Sequence, residues 1–341
     1  MNKEKEETVV ERAYETRLRI IEKILELMEI RGESGQQIDD LELERMKYHP
    51  DTVFLDTDEG VELVAQAIAD GHPVVTDYGA TYGTAFSVGI RDLIAHVRKE
   101  QLPLAVVSLV CTKKVALKWI NKNRLHKNIV AAIEKKGIDI LDLVSGIAFV
   151  RFPCTDEAQT ELGEHYVNPD QELQVFIVDN DPLMARLAEK YHIEYVAVRS
   201  SNITGKPEEP FVTGAEDYAK EIGAPIFAVR SRKAYQAQLD DHKAISSSAE
   251  ANARLQRERV GSQPILAFRT NDHGSVIELV RAGNTSPKTM ERLLRDFLDD
   301  SITFDYKEEK NPAHKRKEYE VSKEITDPLK IKAELLKASL L

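Results

Sequence analysis

The sequence predicts an α/β fold built on one mixed sheet. Between about residue 50 and residue 298, apolar segments of strand length alternate with amphipathic segments of helix length, which is the pattern of an α/β domain. Two late strand segments, 265–268 and 275–280, are joined by a short segment rich in turn residues. Strands joined so closely are antiparallel, so the sheet should contain both parallel and antiparallel pairs.

The predicted strands are short and mostly apolar, as expected for strands that are buried on both faces of a sheet. The segment 104–110, with the sequence LAVVSLV, is the clearest of them. The others are 52–55, 74–76, 147–152, 173–178, 195–198, 225–229, 265–268 and 275–280.

The predicted helices are identified by apolar residues that recur about every 3.6 residues and by capping residues. Asp56, Thr57 and Asp58 form the expected capping segment before the helix 60–70. In the helix 286–298, Ser286 is the expected N-cap and Pro287 the first helical residue, because proline suits that position. The remaining predicted helices are 5–31, 113–136, 182–191, 216–222 and two charged helical halves within 233–260.

The length of the chain bounds its domain organisation. With 341 residues and roughly 150 residues for a typical domain, the chain should form about two domains or one large domain with extensions. We predict an N-terminal helical extension over 1–50, an α/β domain over 51–300 and a charged C-terminal extension over 301–341 that lies at the periphery.

Composition excludes several classes of protein. Hydrophobic residues make up 42% of the chain and charged residues 31%, which is typical of a globular chain with a buried core. No apolar run approaches the roughly 18 residues of a membrane-spanning helix, so no membrane partner is expected. The charged N-terminus has no signal-peptide pattern, and Cys111 and Cys154 form no CxxC pair. We therefore expect a cytoplasmic protein in which the two thiols are buried.

A polar segment that follows the strand 195–198 is the strongest candidate for a ligand site. It reads RSSNITGKP over residues 199–207. Its hydroxyl and amide groups can donate hydrogen bonds to phosphate or carboxylate oxygens, Arg199 adds a fixed charge, and Gly205 permits close backbone approach. The alternative interpretation is an ordinary polar loop, since serine, asparagine and glycine are common in turns.

This segment resembles the S-x-N-x-S-G signature of the YrdC-like family, which includes threonylcarbamoyl-AMP synthase. Three further segments resemble family motifs in the same order along the chain. The segment 61–83 resembles the opening helix, strand and V-Y-G turn, 173–188 resembles the v-R-v-P-d-h-p strand and helix, and 276–294 resembles the terminal strand and helix. A shorter segment, 261–265, resembles the p-S-T-i motif.

The resemblance implies a twisted mixed sheet around one large cavity. It also implies that ATP, bicarbonate and an amino acid, expected to be L-threonine, form a carbamoyl adenylate used in tRNA modification. The nucleotide and its phosphates would contact positions that match the family's motifs, with Mg²⁺ bound to ATP rather than to protein side chains. These positions are Ser200, Asn202, Ser262 and Arg281, with Arg199 as a supporting charge and Lys99 as a substitute for the family's K-x-R motif. Thr81 and Tyr82 would contact the amino acid, and no catalytic residue is assigned.

The chain also departs from the family's pattern. The family's P-T-D-T-V-Y-G is replaced by TDYGATYG over 76–83, the K-x-R motif is missing, and FVRFP over 149–153 is found in place of a tryptophan-proline-glycine-proline stretch. These changes affect the expected threonine pocket more than the fold. The alternative is therefore a catalytically diverged module that binds a nucleotide or RNA.

A basic segment, 113–136, is the candidate RNA contact. It runs from Lys113 to Lys136 and contains the single tryptophan, Trp119. Clustered basic residues bind RNA by neutralising phosphates, although the net charge of −11 gives the whole chain no attraction to nucleic acid. The alternative is a solvated amphipathic helix whose buried face holds Val115, Trp119, Val130 and Ile133.

Overall fold

The computed structural model describes residues 50–77, 82–86, 107–163, 166–200, 212–245, 263–271, 274–298, 302–306 and 319–340. Eleven strands in this part of the chain form one sheet. They are β1 Asp51–Phe54, β2 Val74–Asp77, β3 Tyr82–Phe86, β4 Ser108–Cys111, β5 Phe149–Pro153, β6 Glu172–Ile177, β7 Tyr195–Ser200, β8 Ile226–Val229, β9 Ile265–Asn271, β10 Gly274–Arg281 and β11 Ile302–Tyr306. Their order in the sheet is β1-β8-β2-β3-β7-β4-β6-β5-β9-β10-β11.

The sheet is mixed, as the sequence predicts. Strands β1 and β2 run parallel to β8, β4 to β6, β5 to β9, and β10 to β11. The pairs β2–β3, β3–β7, β4–β7, β5–β6 and β9–β10 are antiparallel. The antiparallel hairpin of β9 and β10 confirms what the turn residues between these strands indicate.

Ten α-helices lie in the described residues. They are α1 Asp58–Ala69, α2 Lys113–Trp119, α3 Lys127–Ile133, α4 Ile140–Val144, α5 Asp156–Leu162, α6 Pro182–Tyr191, α7 Val212–Glu221, α8 Arg232–Ile245, α9 Pro287–Leu294 and α10 Pro328–Leu340. Short 3₁₀-helices occur at Lys122–Arg124 and Arg295–Phe297. No described helix is long and apolar enough to cross a membrane.

Two predicted N-caps are confirmed, and each fixes where a helix begins. Thr57 accepts a hydrogen bond from the Gly60 backbone N–H at 3.0 Å, and Ser286 accepts one from the Thr289 backbone N–H at 3.2 Å. Such caps satisfy donors that the first helical turn leaves unpaired. A Cβ atom at Gly60 would lie 1.9 Å from the Phe54 carbonyl oxygen, so only glycine lets α1 start so close to β1.

One face of the sheet is covered at one end by α1 and α6. Buried residues of these helices, such as Val64 and Leu187, pack with Val74, Val110 and Val198 of the strands in one apolar cluster. On the opposite face, helices α2, α3, α4, α5, α9 and α10 share a larger cluster with the sheet, and α7 and α8 pack over β2 and β8. The α1–α6 face is therefore the one that these other helices leave uncovered.

The basic segment forms two short helices rather than the single helix predicted over 113–136. Helix α2 ends at Trp119 because Ile120 enters an antiparallel bridge with Cys154. The Asn121 N–H also donates to the Pro153 carbonyl at 2.8 Å. These contacts join residues that are distant in sequence, so local periodicity could not indicate the break. The predicted buried face is confirmed: Val115, Trp119 and Ile133 are buried and Val130 is partly buried against the same cluster.

Described parts of the charged C-terminal segment belong to the core, which differs from the peripheral position expected. Strand β11 pairs with β10 at the edge of the sheet. Helix α10 buries Ile331 and Leu335, which are 0% and 2% exposed. Their spacing of four residues places them on one side of the helix. The predicted helix 5–31 and the second half of 233–260 lie outside the described residues.

Candidate functional site

The structure describes only part of the site that the sequence predicts. It describes the side chains of Arg199 and Arg281 and the backbone of Tyr82 and Ser200. The other predicted ligand contacts, Thr81, Lys99, Asn202 and Ser262, lie outside the described residues.

The described ends of the opening segment 61–83 and of the polar segment 199–207 lie on neighbouring strands of the sheet. Strand β3 begins at Tyr82, which pairs with Asp77 at the end of β2. Strand β7 ends at Ser200, which pairs with Gly83. Segment 78–81 therefore enters β3, and segment 201–211 leaves β7, at neighbouring points. The two motifs are far apart in sequence, and the register of three strands brings their ends together.

Arg199 and Arg281 lie on opposite faces of the sheet. Val198 pairs with Ser108, and Ser108 accepts a hydrogen bond from Gln174 on the α1–α6 face. Because side chains alternate along a strand, Arg199 lies on the other face. Arg281 pairs with Ile265 and reaches the α1–α6 face. The sheet therefore separates these two arginine side chains, both of which the motif resemblance associates with the nucleotide phosphates.

A group of polar side chains extends across the α1–α6 face beside the apolar cluster. We call it the polar face. It comes from five neighbouring strands, β4, β6, β5, β9 and β10. Its members are Ser108, Glu172, Gln174, Arg151, Arg269, Glu278 and Arg281.

The centre of the polar face is a chain of hydrogen bonds between three adjacent strands. The Arg151 Nε donates to Gln174 Oε1 at 2.7 Å, and the Gln174 Nε2 donates to Ser108 Oγ at 2.6 Å. Both Gln174 and Ser108 are 8% exposed. The two buried side chains thus fix the orientation of the half-buried Arg151, since a buried amide flips only if it loses its partners.

A second group of contacts surrounds Arg269. Its Nε lies 3.1 Å from Glu278 Oε2 and 3.7 Å from Glu172 Oε1. Glu172 is buried, at 7% exposed, and also accepts a hydrogen bond from Asn168 Nδ2 at 2.8 Å. Two carboxylates are therefore stabilised by one guanidinium, as buried carboxylates require.

A β-bulge places Arg281 on the polar face. Strand β10 pairs Leu279 with Leu266 but Arg281 with Ile265, so β10 contains one extra residue relative to β9 between these two pairs. Strict alternation would put Arg281 on the same face as Leu279, which packs in the opposite cluster. A bulge reverses this parity. The Arg281 Nη2 then donates to the Gln263 carbonyl at 3.0 Å.

The polar face carries more positive than negative charge. Three arginines, Arg151, Arg269 and Arg281, face two glutamates, Glu172 and Glu278. Burial lowers the pKa of the Arg151 guanidinium below its usual value; the neighbouring Arg269 and Arg281 lower this pKa further, and the two glutamates oppose the change. An arginine stays protonated in spite of such a shift, so the face presents a cation that is incompletely neutralised.

The described residues do not form a metal site of their own. Among them, no group of three or more histidine, cysteine, aspartate or glutamate side chains could hold a metal ion. A magnesium ion carried by a nucleotide takes most of its ligands from phosphate and water. Glu172 and Glu278 are acidic groups that act on Arg151, and both are paired with Arg269.

Most of the polar face was not predicted from the sequence, although a signal was present. Glu172 and Gln174 alternate with apolar residues in β6, and Arg151 interrupts the apolar β5. A polar residue at every second position of a buried strand indicates a polar patch on one face of the sheet. The strand order, which joins these positions, could not be read from the sequence.

The basic side chains of 113–136 are largely engaged within the protein. Lys113 lies 2.5 Å from Asp139 and 2.6 Å from Asp142, and Arg124 donates to Gln171 and to the Asp170 carbonyl. Further pairs are Lys118–Glu194, Lys122–Glu134 and Lys135 over the Phe297 ring. Lys114, Lys127 and Lys136 are exposed.

The fold of this chain is similar to several solved structures. No family model and no curated protein matches the chain. P. abyssi Sua5 complexed with L-threonine is 12% identical at a TM-score of 0.45, with 74% of this chain and 61% of that chain covered. E. coli YciO is 11% identical at 0.45, covering 73% and 100%. A hypothetical protein from Streptococcus mutans is 16% identical at 0.49, covering 77% and 100%.

Sua5 and YciO are YrdC-like proteins, the kind of protein that the sequence motifs resemble. The chain spans about three fifths of the length of the Sua5 structure, at 61%. With identities of 11–16% and TM-scores below 0.5, these likenesses assign neither an activity nor a substrate to this chain.

Proposed function

We propose that this chain binds ATP with Mg²⁺ on the polar face and forms a carbamoyl adenylate from ATP, bicarbonate and an amino acid, expected to be L-threonine. The observation that carries the proposal is the convergence of Arg151, Arg269 and Arg281 on one face of the sheet. Guanidinium groups match phosphate oxygens in charge and geometry. The motif resemblance supplies the reaction.

The proposed reaction places few chemical demands on the protein. The amino group of the amino acid and bicarbonate form an N-carboxy amino acid and water. A carboxylate oxygen of this group attacks the α-phosphorus of ATP, the bond from that phosphorus to the bridging oxygen breaks, and pyrophosphate leaves. Such displacements depend on positioning and on stabilisation of the developing negative charge. Arginines on a rigid sheet can provide both, and bound Mg²⁺ would shield the phosphates.

The site residues take their proposed roles from their positions. Arg281 would bind phosphate directly, because the bulge in β10 turns it onto the polar face. Ser200, Asn202, Ser262 and Lys99 would contact the nucleotide, and Thr81 and Tyr82 the amino acid, as the motif resemblance implies. Arg199 lies on the other face, so its charge would act only at longer range.

The test is pyrophosphate release from ATP, in the presence of Mg²⁺ and bicarbonate, with and without L-threonine. We expect release that depends on the amino acid and is lost in Arg281→Ala. The proposal would be wrong if the wild-type chain bound no ATP, or if Arg281→Ala bound ATP normally. A circular dichroism spectrum and melting temperature equal to those of the wild type would show that the variant is folded.

A diverged binding module is the second candidate, and the altered opening motif over 76–83 favours it. In that case ATP would bind without pyrophosphate release for any amino acid. RNA contact through 113–136 belongs to this candidate, and the exposed Lys114, Lys127 and Lys136 would carry it. Replacing these three lysines with glutamate should then weaken tRNA binding at low salt, because each removed phosphate contact lowers affinity. Unchanged tRNA affinity would exclude this surface.

A further inference from the structure

Arg151 is the cation of the polar face that has the fewest internal partners. Its Nε donates to Gln174. Among the described residues, neither of its Nη nitrogens has a hydrogen-bond partner, and no carboxylate lies within 4.0 Å of it. Arg269 differs, because its guanidinium lies beside two glutamates. Within the described part of the chain, Arg151 is thus a half-buried charge whose two Nη nitrogens have no hydrogen-bond partner.

A guanidinium in this state normally has a partner. Burial of a charge is costly unless the charge is paired, and a single hydrogen bond to a neutral amide oxygen does not neutralise it. The two Nη nitrogens form a fork that matches two oxygens of a carboxylate or a phosphate. Gln174 and Ser108 occupy the Nε side and fix the guanidinium. The fork is therefore oriented before a ligand arrives, which reduces the entropy lost on binding.

We infer that Arg151 is an anchor for an oxyanion of the ligand, a phosphate or a carboxylate, which it binds through its Nη fork while Gln174 and Ser108 hold it from behind. The motif resemblance does not assign this residue, because β5 lies in a segment that departs from the family's pattern. The inference deepens the proposed function, since it places an oxyanion group of the substrate at the centre of the polar face.

Arg124 is a matched control for Arg151. Its Nη1 donates to Gln171 Oε1 at 2.7 Å, the same distance at which Arg151 Nε donates to Gln174 Oε1. Its Nη2 donates to the Asp170 carbonyl at 3.1 Å, so both Nη nitrogens are engaged. Arg124 is exposed and lies in the 3₁₀-helix after α2. Arg124→Ala removes an arginine–glutamine contact without touching the polar face.

The experiment measures dissociation constants by calorimetry for five chains: wild type, Arg151→Ala, Arg151→Lys, Gln174→Glu and Arg124→Ala. The probes are MgATP, inorganic pyrophosphate, L-threonine and adenosine. Arg151→Ala should weaken the binding of the oxyanion probe that occupies the anchor. Its dissociation constant should rise by about 10- to 100-fold, the usual effect of losing hydrogen bonds to a charged group. Arg151→Lys keeps the charge but loses the fork, so its loss should be intermediate. Gln174→Glu places a carboxylate beside the guanidinium and should weaken binding like Arg151→Ala.

The probes distinguish the source of the oxyanion. Loss of MgATP and pyrophosphate binding would identify a phosphate, and loss of L-threonine binding alone would identify a carboxylate. Either result supports the anchor if Arg151→Ala keeps the wild-type affinity for adenosine and Arg124→Ala keeps the wild-type affinity for every probe. Wild-type affinity of Arg151→Ala for every probe would overturn the inference, as would an equal loss in Arg124→Ala. A wild-type chain that binds pyrophosphate but not ATP would refute the proposed function; weaker pyrophosphate binding by Arg151→Ala would then still support the anchor, and unchanged binding would overturn it. A wild-type chain that binds no oxyanion probe would refute both.

Discussion

Replacing Glu62 with glutamine should remove a pH-dependent part of the stability of the pair of helices α1 and α6. The Glu62 carboxylate accepts hydrogen bonds from Arg186, from Lys190 at 2.5 Å and from Tyr191 at 2.5 Å. These donors, all on α6, lower its pKa from 4.5 to about 2. A carboxylate whose pKa is depressed on folding stabilises the folded state above its unfolded pKa, and this contribution is lost as the pH falls through the folded value.

The magnitude follows from the size of the pKa change. A change from 4.5 to about 2 corresponds to about 3.4 kcal/mol at about 1.36 kcal/mol for each pKa unit. Solvent screens this value, because the Glu62 side chain is 26% exposed and that of Lys190 is 55% exposed. We therefore expect Glu62→Gln to lower the free energy of unfolding by about 1–2 kcal/mol near neutral pH.

Urea unfolding of both chains, followed by circular dichroism, measures this difference as a function of pH. It should be constant above about pH 5 and shrink steadily between about pH 4.5 and about pH 2, where the protonated carboxyl and the amide carry the same charge. Glu291→Gln is the control, because Glu291 is exposed on α9 and has no ion pair within the described part of the chain. A difference that stays constant down to about pH 2.5 would refute the assignment of the stabilisation to an ionised Glu62.

Two further predictions concern the core. Leu335→Ala should lower the free energy of unfolding by about 2–5 kcal/mol, because Leu335 is 2% exposed on α10. Leu329→Ala on the same helix is the control and should lower it by less than about 0.5 kcal/mol, because Leu329 is 47% exposed. Equal unfolding midpoints of the two variants in urea would contradict the docking of α10. Cys111 and Cys154 are buried, and burial raises the pKa of both thiols, so an aromatic disulfide reagent should label them only after unfolding. Labelling of the native chain at the rate of a free thiol would show that the described packing is wrong.

The parts of the fold that local signals determine could be predicted from the sequence. The caps at Thr57 and Ser286, the apolar face of α2 and α3, and the hairpin of β9 and β10 all depend on residues within a few positions of one another. The break after Trp119 depends on a bridge between Ile120 and Cys154. The docking of α10 depends on packing against strands and helices that precede it by many residues. Neither the break after Trp119 nor the docking of α10 has a local sequence signal, and both lie in segments whose charged residues predict an exposed position.

The candidate site could be predicted only in part, because its geometry depends on parity and strand order. The sequence identifies Arg199 and Arg281 as candidates, but not that the sheet separates them. A single bulged residue in β10 decides the face on which Arg281 lies, and such a residue leaves no clear mark in the sequence. Arg151 becomes a candidate only once β5 is known to lie between β6 and β9.

A crystal structure of the chain with Mg²⁺ and a non-hydrolysable ATP analogue tests the central claim most directly. The account predicts phosphate oxygens within about 3.2 Å of the Arg281 guanidinium, on the face of the sheet that carries Arg151 and Gln174. A nucleotide bound on the opposite face, among the helices that pack with Leu109 and Val150, would contradict it.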